Sequence, residues 1–262
     1  MPYAQLNSAK LYYEDHGTGD PILFIHGFTL DHRQWAPQVE YFKSKYRCIT
    51  LDERGHGLSE ATPSGYDRAS RVEDLKQFVD YLRLDKFHLC GLSRGGITSM
   101  GFAFAHQDRL KSLALVSTGA AGYNVGNKFS KLDDVARSGG VEEAKKVWLE
   151  MTIPWLMARH PEIAGVMKTM INEHSGAIWA DPMRGKYVTP PDLDHVHEIK
   201  VPLFVIIGAL DKIFVPLSRQ IHEKVPGSRL EILPELGHMI NLENPALFNK
   251  LYAEWLTEIS SP

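Results

Sequence analysis

Residues 88–99 read "HLCGLSRGGITS", an apolar run that leads into a serine between two glycines. Such a stretch is either a Gly/Ser-rich turn between a strand and a helix or the position of a catalytic serine. A serine on a tight strand-to-helix turn needs small residues two positions before it and two positions after it. Gly91 and Gly95 occupy those positions around Ser93, and Gly96 allows the helix to pack closely on a sheet. The stretch predicts a strand, a strained turn and a helix.

Outward from this stretch, the chain alternates short apolar strands with amphipathic helices. Continuous apolar runs are typical of strands that are buried on both faces. They occur at residues 21–27, 46–53, 86–93, 110–118 and 202–211, and further strands are predicted at 9–17 and 228–238. Helices are predicted over 71–84 and from Pro245 onward, with Asn244 as the cap. This alternation indicates an α/β fold whose mostly parallel sheet is covered on both faces.

The alternation is interrupted at residues 122–197, where no buried strand is evident. Segments 141–153 and 161–174 have helical patterns, and residues 180–192 form a Pro-rich return. We therefore predict a core made of residues 1–121 and 198–262, with a helical lid over 122–197. The lid is rich in tryptophan and methionine, which either form its own small core or line a pocket beneath it.

Composition excludes several classes of protein. The chain has 262 residues, of which 44% are hydrophobic, enough for one sizeable core or two small ones. A net charge of −3 without a Lys/Arg run argues against a nucleic-acid partner. No apolar run approaches the roughly 20 residues of a membrane span, and the first ten residues do not resemble a signal peptide. We expect a cytoplasmic protein with reduced, buried Cys48 and Cys90, and the oligomeric state stays open.

A serine hydroxyl is a poor nucleophile unless a base, a group that orients the base and oxyanion donors accompany it. Asp211 follows the apolar strand that ends at Gly208, and His238 follows the last predicted strand. Taken singly, these are an ordinary loop aspartate and a surface-loop histidine. However, catalytic groups gather at the carboxyl ends of parallel strands, and the order Ser93, Asp211, His238 suits this architecture. We therefore predict a Ser-His-Asp triad.

The residues around Ser93 suggest the oxyanion and substrate contacts. The backbone N–H groups of Phe28 and Arg94 are the predicted oxyanion donors. The Arg94 side chain either holds a substrate carboxylate or pairs with a protein carboxylate, and the ion pair is our preferred interpretation. The candidate substrate-binding residues are Arg94, Trp148, Trp155 and Met239.

No metal site is predicted. His195 and His197 are two residues apart but lack a third ligand at a usual spacing, so a solvated helix end explains them better.

Five segments carry a resemblance to a known family: "HGF" (26–28), "LDERGHGLS" (51–59), "GLSRGG" (91–96), "GALDKIFVP" (208–216) and "GHMINLENP" (237–245). With these, the chain resembles the α/β-hydrolase family over nearly its whole length. The resemblance implies an eight-stranded, mostly parallel sheet with a helical lid insertion, and no metal or organic cofactor. It also implies that Asp52, Arg54 and His56 support a turn rather than catalysis. Serine at position 93 argues against the dehalogenase and epoxide-hydrolase branches, which carry aspartate there.

Within that family, the chain is most similar to the group of 3-oxoadipate enol-lactonase-like proteins, simple carboxylesterases and C–C bond hydrolases. We therefore predict cleavage of a small carboxylic ester or lactone through an acyl-enzyme at Ser93. One alternative is a C–C bond hydrolase that acts on a keto or dienoic acid. Another is a ligand-sensing protein that keeps the pocket but turns over slowly. The predicted partner is a small-molecule ester or lactone, with no nucleic acid and no membrane.

Overall fold

The computed structural model describes residues 2–126, 128–183 and 191–260. Its sheet has eight strands: β1 (Tyr3–Gln5), β2 (Lys10–His16), β3 (Asp20–Ile25), β4 (Tyr46–Leu51), β5 (Phe87–Leu92), β6 (Leu110–Val116), β7 (Leu203–Gly208) and β8 (Arg229–Leu233). They lie in the order β1-β2-β4-β3-β5-β6-β7-β8. The first two strands are antiparallel to their neighbours and the other six run parallel, so the predicted fold class is confirmed.

Helices follow most of the strands. They are α1 (Ala36–Phe42), α2 (Arg68–Tyr81), α3 (Arg94–His106), α4 (Lys128–Arg159), α5 (Pro161–Glu173), α6 (Ala177–Ala180), α7 (Asp192–His195), α8 (Val215–Lys224), α9 (Ile240–Glu243) and α10 (Pro245–Ser260). The last helix begins as predicted, because the Asn244 side chain accepts from the Leu247 N–H at 3.0 Å. None of the described helices combines the length and the apolar composition that a bilayer crossing requires.

The apolar strands divide their side chains between two clusters, one on each face of the sheet. In β3, for example, Ile22 and Phe24 belong to one cluster, and Leu23 and Ile25 belong to the other. Every residue of β5 and β7 is buried. This explains why these segments are continuously apolar rather than alternating, because helices cover both faces. Cys48 and Cys90 are buried free thiols within the first of these clusters.

A helical insertion lies between β6 and β7 and contains α4 to α7. Gly140, with φ at 83°, breaks α4 into two helical stretches. Apolar residues of α4 and α5, among them Trp148 and Met167, join the cluster that lies on one face of the sheet. Residues 184–190 of the predicted Pro-rich return lie outside the described residues. The boundaries of the predicted lid therefore stay a prediction.

Candidate active site

Ser93 lies on the turn between β5 and α3, with φ at 54° and ψ at −112°. This region of backbone conformation is strained for a residue with a side chain. Glycine is required at positions 91 and 95 because neighbouring atoms lie too close to the backbone there for a Cβ atom to fit. A Cβ added to Gly91 would lie 2.4 Å from Ser99 Oγ, and one added to Gly95 would lie 2.4 Å from the carbonyl oxygen of Ile25. The turn therefore accepts no side chain at either position and presents Ser93 at the carboxyl edge of the sheet.

Asp211 and His238 meet at the same edge, each following the end of a strand. The His238 Nδ1 and an Asp211 carboxylate oxygen are 2.6 Å apart, and the other oxygen accepts from the Phe214 N–H at 3.3 Å. The Asp211 side chain is only 6% exposed, whereas that of His238 is 36% exposed. Since an ionised carboxylate only accepts hydrogen bonds, Nδ1 carries the proton. The Nε2 atom of His238 then has a free lone pair and can act as a base.

Ser93 and His238 line one cavity. Within the described part of the chain, no hydrogen bond joins the Ser93 hydroxyl to the imidazole. Catalytic hydrogen bonds often become short and well aligned only in the complex with substrate, so this geometry is compatible with His238 as the base.

The loop after β3 carries the predicted oxyanion donor of Phe28. The neighbouring Thr29 has φ at 62°, and its hydroxyl donates to the Phe28 carbonyl at 2.6 Å. The same hydroxyl accepts from the Trp148 Nε1–H at 2.8 Å. One residue earlier, the Gly27 N–H donates to Gln34 Oε1 at 2.8 Å. These bonds fix the loop and connect it to the insertion through Trp148. Arg94, the second predicted donor, is the first residue of α3.

The cavity has a volume of about 400 Å³ and a mostly apolar lining. Of the predicted substrate-binding residues, Trp148, Trp155 and Met239 line it. Trp155 lines the cavity and is also 44% exposed to solvent. Further apolar lining residues are Phe28, Leu30, Leu92, Phe129, Met151, Leu156, Met167, Leu210, Ile213 and Phe214.

The Arg94 side chain takes a different position from the one a substrate anchor requires. Its guanidinium contacts the buried carboxylate of Glu53 and donates to the Tyr66 carbonyl at 3.4 Å, and Arg94 does not line the cavity. Burial alone would raise the pKa of Glu53, but Arg94 and Arg71 outweigh it and lower that pKa. The structure therefore corrects the placement of Arg94 among the residues that bind a substrate carboxylate and agrees with the preferred interpretation, an ion pair with a protein carboxylate. A buried carboxylate needs a countercharge, and Arg94 supplies it.

One group of potential metal ligands occurs among the described residues, formed by Asp31, His32 and Asp52. Their hydrogen bonds support local turns. The two Asp52 oxygens accept from the backbone N–H groups of His32 and Leu58, at 2.6 and 2.9 Å. Asp31 is paired with the guanidinium of Arg33. The predicted structural role of the 52–56 segment agrees with this arrangement.

His195 and His197, the pair whose spacing was considered for a metal site, lie at the end of the insertion. His195 Nδ1 is 2.6 Å from an oxygen of the exposed Glu198. This is the solvated helix end that the sequence predicted.

Sequence reasoning missed two carboxylates of the site, Glu53 and Glu243. Glu243 lies beside the cavity, and its buried carboxylate accepts from the backbone N–H groups of Gly237 and Met239. A signal was available for Glu243, because a carboxylate five residues after His238 falls in the short helix that follows it. Glu53 offered no such signal, since its partners come from distant parts of the sequence.

Comparisons with known proteins agree with this architecture. The family profile described as the alpha/beta hydrolase fold matches residues 20–245. A protein of Bacillus subtilis (strain 168), provisionally named 2-succinyl-6-hydroxy-2,4-cyclohexadiene-1-carboxylate synthase, is 30% identical, over 94% of this chain and 93% of its own.

Two solved structures have the same fold. The enol-lactonase from Burkholderia xenovorans LB400 is 28% identical with a TM-score of 0.87, over 98% of this chain and 100% of its own. A thermophilic esterase from Thermogutta terrifontis is 28% identical with a TM-score of 0.86, over 97% and 95% of the two chains. The chain therefore belongs to the alpha/beta hydrolase fold family.

Proposed function

We propose that this protein is a serine hydrolase that cleaves a small carboxylic ester or lactone through an acyl-enzyme at Ser93. The observation that carries the proposal is the 2.6 Å contact between His238 Nδ1 and Asp211, beside the cavity that Ser93 lines. It leaves Nε2 of the imidazole as a proton acceptor in the cavity that holds the strained serine.

The proposed reaction has two halves. In the first, His238 Nε2 takes the Ser93 proton while Oγ attacks the substrate carbonyl carbon. The backbone N–H groups of Phe28 and Arg94 donate to the oxyanion that forms. The tetrahedral intermediate then breaks its bond to the leaving oxygen, which receives the proton from His238. In the second half, water loses a proton to His238 and attacks the acyl carbon. The intermediate that forms then breaks its bond to Ser93 Oγ, which receives the proton from His238 as the acid is released.

The lining of the cavity supports a substrate with an apolar body. Two of its hydroxyl groups already have partners within the protein: Thr29 bonds to Phe28 and Trp148, and the Thr152 hydroxyl donates to the Trp148 carbonyl at 2.7 Å. They are therefore poor anchors for a strongly polar substrate. The names of the two solved relatives, an enol-lactonase and an esterase, agree with this substrate class.

The decisive experiment compares wild type with Ser93→Ala on a short aryl ester such as p-nitrophenyl acetate. We expect kcat to fall by about a thousandfold or more, with an unchanged melting temperature. A fluorophosphonate should label wild type but not Ser93→Ala. The matched control is Ser138→Ala, which removes an exposed serine of α4 and should keep wild-type rates. Near-normal turnover by Ser93→Ala would reject the proposal.

The same assays separate the two alternatives. Product formation over many turnovers supports an enzyme, whereas a single stoichiometric burst favours a ligand-sensing protein. Faster cleavage of a β-diketone or dienoic acid than of esters and lactones would favour C–C bond hydrolysis.

A further inference from the structure

The carboxylate of Glu243 holds the backbone on both sides of His238. One of its oxygens accepts from the Gly237 N–H at 2.7 Å, and the other accepts from the Met239 N–H at 2.8 Å. These are the residues immediately before and after the candidate base. The Glu243 side chain is fully buried, so both bonds are shielded from water. Hydrogen bonds to a charged acceptor are roughly twice as strong as neutral ones.

This arrangement constrains the imidazole more than the Asp211 contact can do alone. The bond from His238 Nδ1 to Asp211 fixes one ring atom but leaves the backbone free to pivot around it. Anchoring the two flanking amides fixes the Cα atom of His238, so the direction of Nε2 is set as well. A proton acceptor that serves Ser93 must hold its direction closely, because displacements near 1 Å can cost about 10²-fold in rate.

The insertion contacts the same segment. The Trp155 ring packs against Gly237, where an added Cβ would lie 2.2 Å from the indole. Arg159 donates to the Glu235 carbonyl at 2.8 Å. His160 Nε2 lies 3.8 Å from a Glu243 oxygen. Glu243 at the end of α9 therefore anchors the loop that carries His238, and the end of α4 covers the same loop.

We propose that Glu243 is a positioning residue for His238, which acts by clamping the amides of residues 237 and 239 rather than by touching the substrate. The proposal rests on the proposed function, since it assigns His238 the role of base. It predicts that Glu243 contributes to kcat and leaves KM nearly unchanged.

The test uses Glu243→Gln in the full-length protein, with Glu231→Gln as the matched control. In Glu243→Gln the remaining side-chain oxygen still accepts a hydrogen bond from one of the two backbone N–H groups. The side-chain NH₂ faces the other N–H, so that hydrogen bond is lost. Glu231 lies in β8, where its carboxylate pairs with Arg229 and not with the base loop. We expect kcat of Glu243→Gln to fall roughly 10- to 100-fold, with KM within twofold of wild type. The control should stay within twofold in both constants.

A spectroscopic readout separates positioning from stability. The proton between His238 Nδ1 and Asp211 should give a low-field ¹H NMR resonance, which we expect to move or broaden in Glu243→Gln at temperatures where the variant is fully folded. If kcat stays within twofold of the control, or if the resonance is unchanged while activity falls only with the folded fraction, the proposal is overturned.

A second variant covers a failure of Glu243→Gln to fold. Glu243→Asp keeps the charge but is one methylene shorter, so it cannot reach both amides and should show the same selective loss of kcat. If neither variant folds, Glu243 serves folding and the positioning role is rejected. The resonance requires no turnover, so a wild type without hydrolase activity would refute the proposed function and leave the effect on His238 measurable.

Discussion

Arg94, the residue that follows Ser93 in the chain, forms a buried ion pair with Glu53. Glu53 follows β4 and Arg94 begins α3, so the pair joins two segments that meet at the carboxyl edge of the sheet. A second oxygen of Glu53 accepts from the Thr98 hydroxyl at 2.7 Å and lies 3.7 Å from Arg71 Nη1. The side chain that follows the candidate nucleophile thus supports the turn rather than entering the cavity.

Replacing the arginine should therefore cost stability rather than substrate preference. Arg94→Met keeps the backbone N–H but removes the main countercharge of a buried carboxylate. We expect the free energy of unfolding to fall by about 3 kcal/mol, measured by chemical denaturation. We expect kcat/KM on an acid-bearing ester and on its neutral analogue to change by the same factor.

The double variant Arg94→Met/Glu53→Gln provides the control. Removing the unpaired charge should recover part of the lost stability, so the effects of the two changes should not add. A loss of kcat/KM confined to the acid-bearing ester would instead favour the substrate-anchor interpretation of Arg94.

Asp211→Asn should leave the fold intact but disable the proposed base. The Asn oxygen can still accept from the Phe214 N–H, whereas its NH₂ group would donate to His238 Nδ1. The imidazole must then carry its proton on Nε2, where it cannot accept the Ser93 proton. We expect kcat to fall by about 10⁴-fold with a small change in melting temperature. Asp194→Asn, an exposed aspartate of α7, is the control, and a comparable loss there would contradict the assignment.

The fold was predictable because its signals are local. Continuous apolar runs indicate strands that are buried on both faces, and seven of the eight strands follow such patterns or simple alternation. The exception is β1, because three residues are too few to establish a period. The part of α4 before Gly140 was not predicted either, whereas the part after it begins where the predicted helical segment 141–153 begins.

The site was predictable only where chemistry and chain order agree. Ser93, Asp211 and His238 follow strand ends, so sequence could bring them to one edge of the sheet. The Arg94 partner could not be identified, because Glu53 is 41 residues away and becomes a neighbour only through the sheet topology. The contacts of Trp148 depend in the same way on how the insertion packs against the core. Long-range pairing of this kind leaves no periodic signal in the chain.

Trp148→Phe should test whether the insertion supports the oxyanion loop. The indole N–H donates to the Thr29 hydroxyl, which in turn donates to the Phe28 carbonyl. Phenylalanine can keep the edge-on ring contact with Phe28, whose ring centroid lies 5.3 Å from that of Trp148, but it loses the donor. We expect kcat to fall roughly 2- to 10-fold with little change in KM. Thr29→Ser keeps the hydroxyl and should remain close to wild type.

A rise in KM at constant kcat in Trp148→Phe would point the other way. It would indicate that Trp148 contacts the substrate and does not support the loop.

Two buried histidines meet where the insertion packs on the core. The ring centroids of His56, in the loop after β4, and His174, at the end of α5, are 4.5 Å apart. Burial, together with the nearby charge of Arg94 and the ring of His26, lowers the pKa of His174 to about 3. Burial and the same neighbours also lower the pKa of His56 well below its ordinary value. The His174 ring is therefore neutral in the folded protein over the mildly acidic range.

Acidification should accordingly weaken the folded state through His174. In the unfolded chain this histidine titrates near pH 6.5, so between pH 6.5 and about 3 the unfolded state binds more protons and stability falls as pH falls. His174→Asn removes this titration, and its side-chain oxygen can still accept from the Gly176 N–H, which bonds to His174 Nδ1 at 2.9 Å. The variant should be less stable than wild type at pH 7 because it loses ring contacts. That deficit should shrink by about 2 kcal/mol at pH 4.5, measured by urea denaturation at both values. Parallel stability curves for the two proteins would show that His174 does not cause the acid sensitivity.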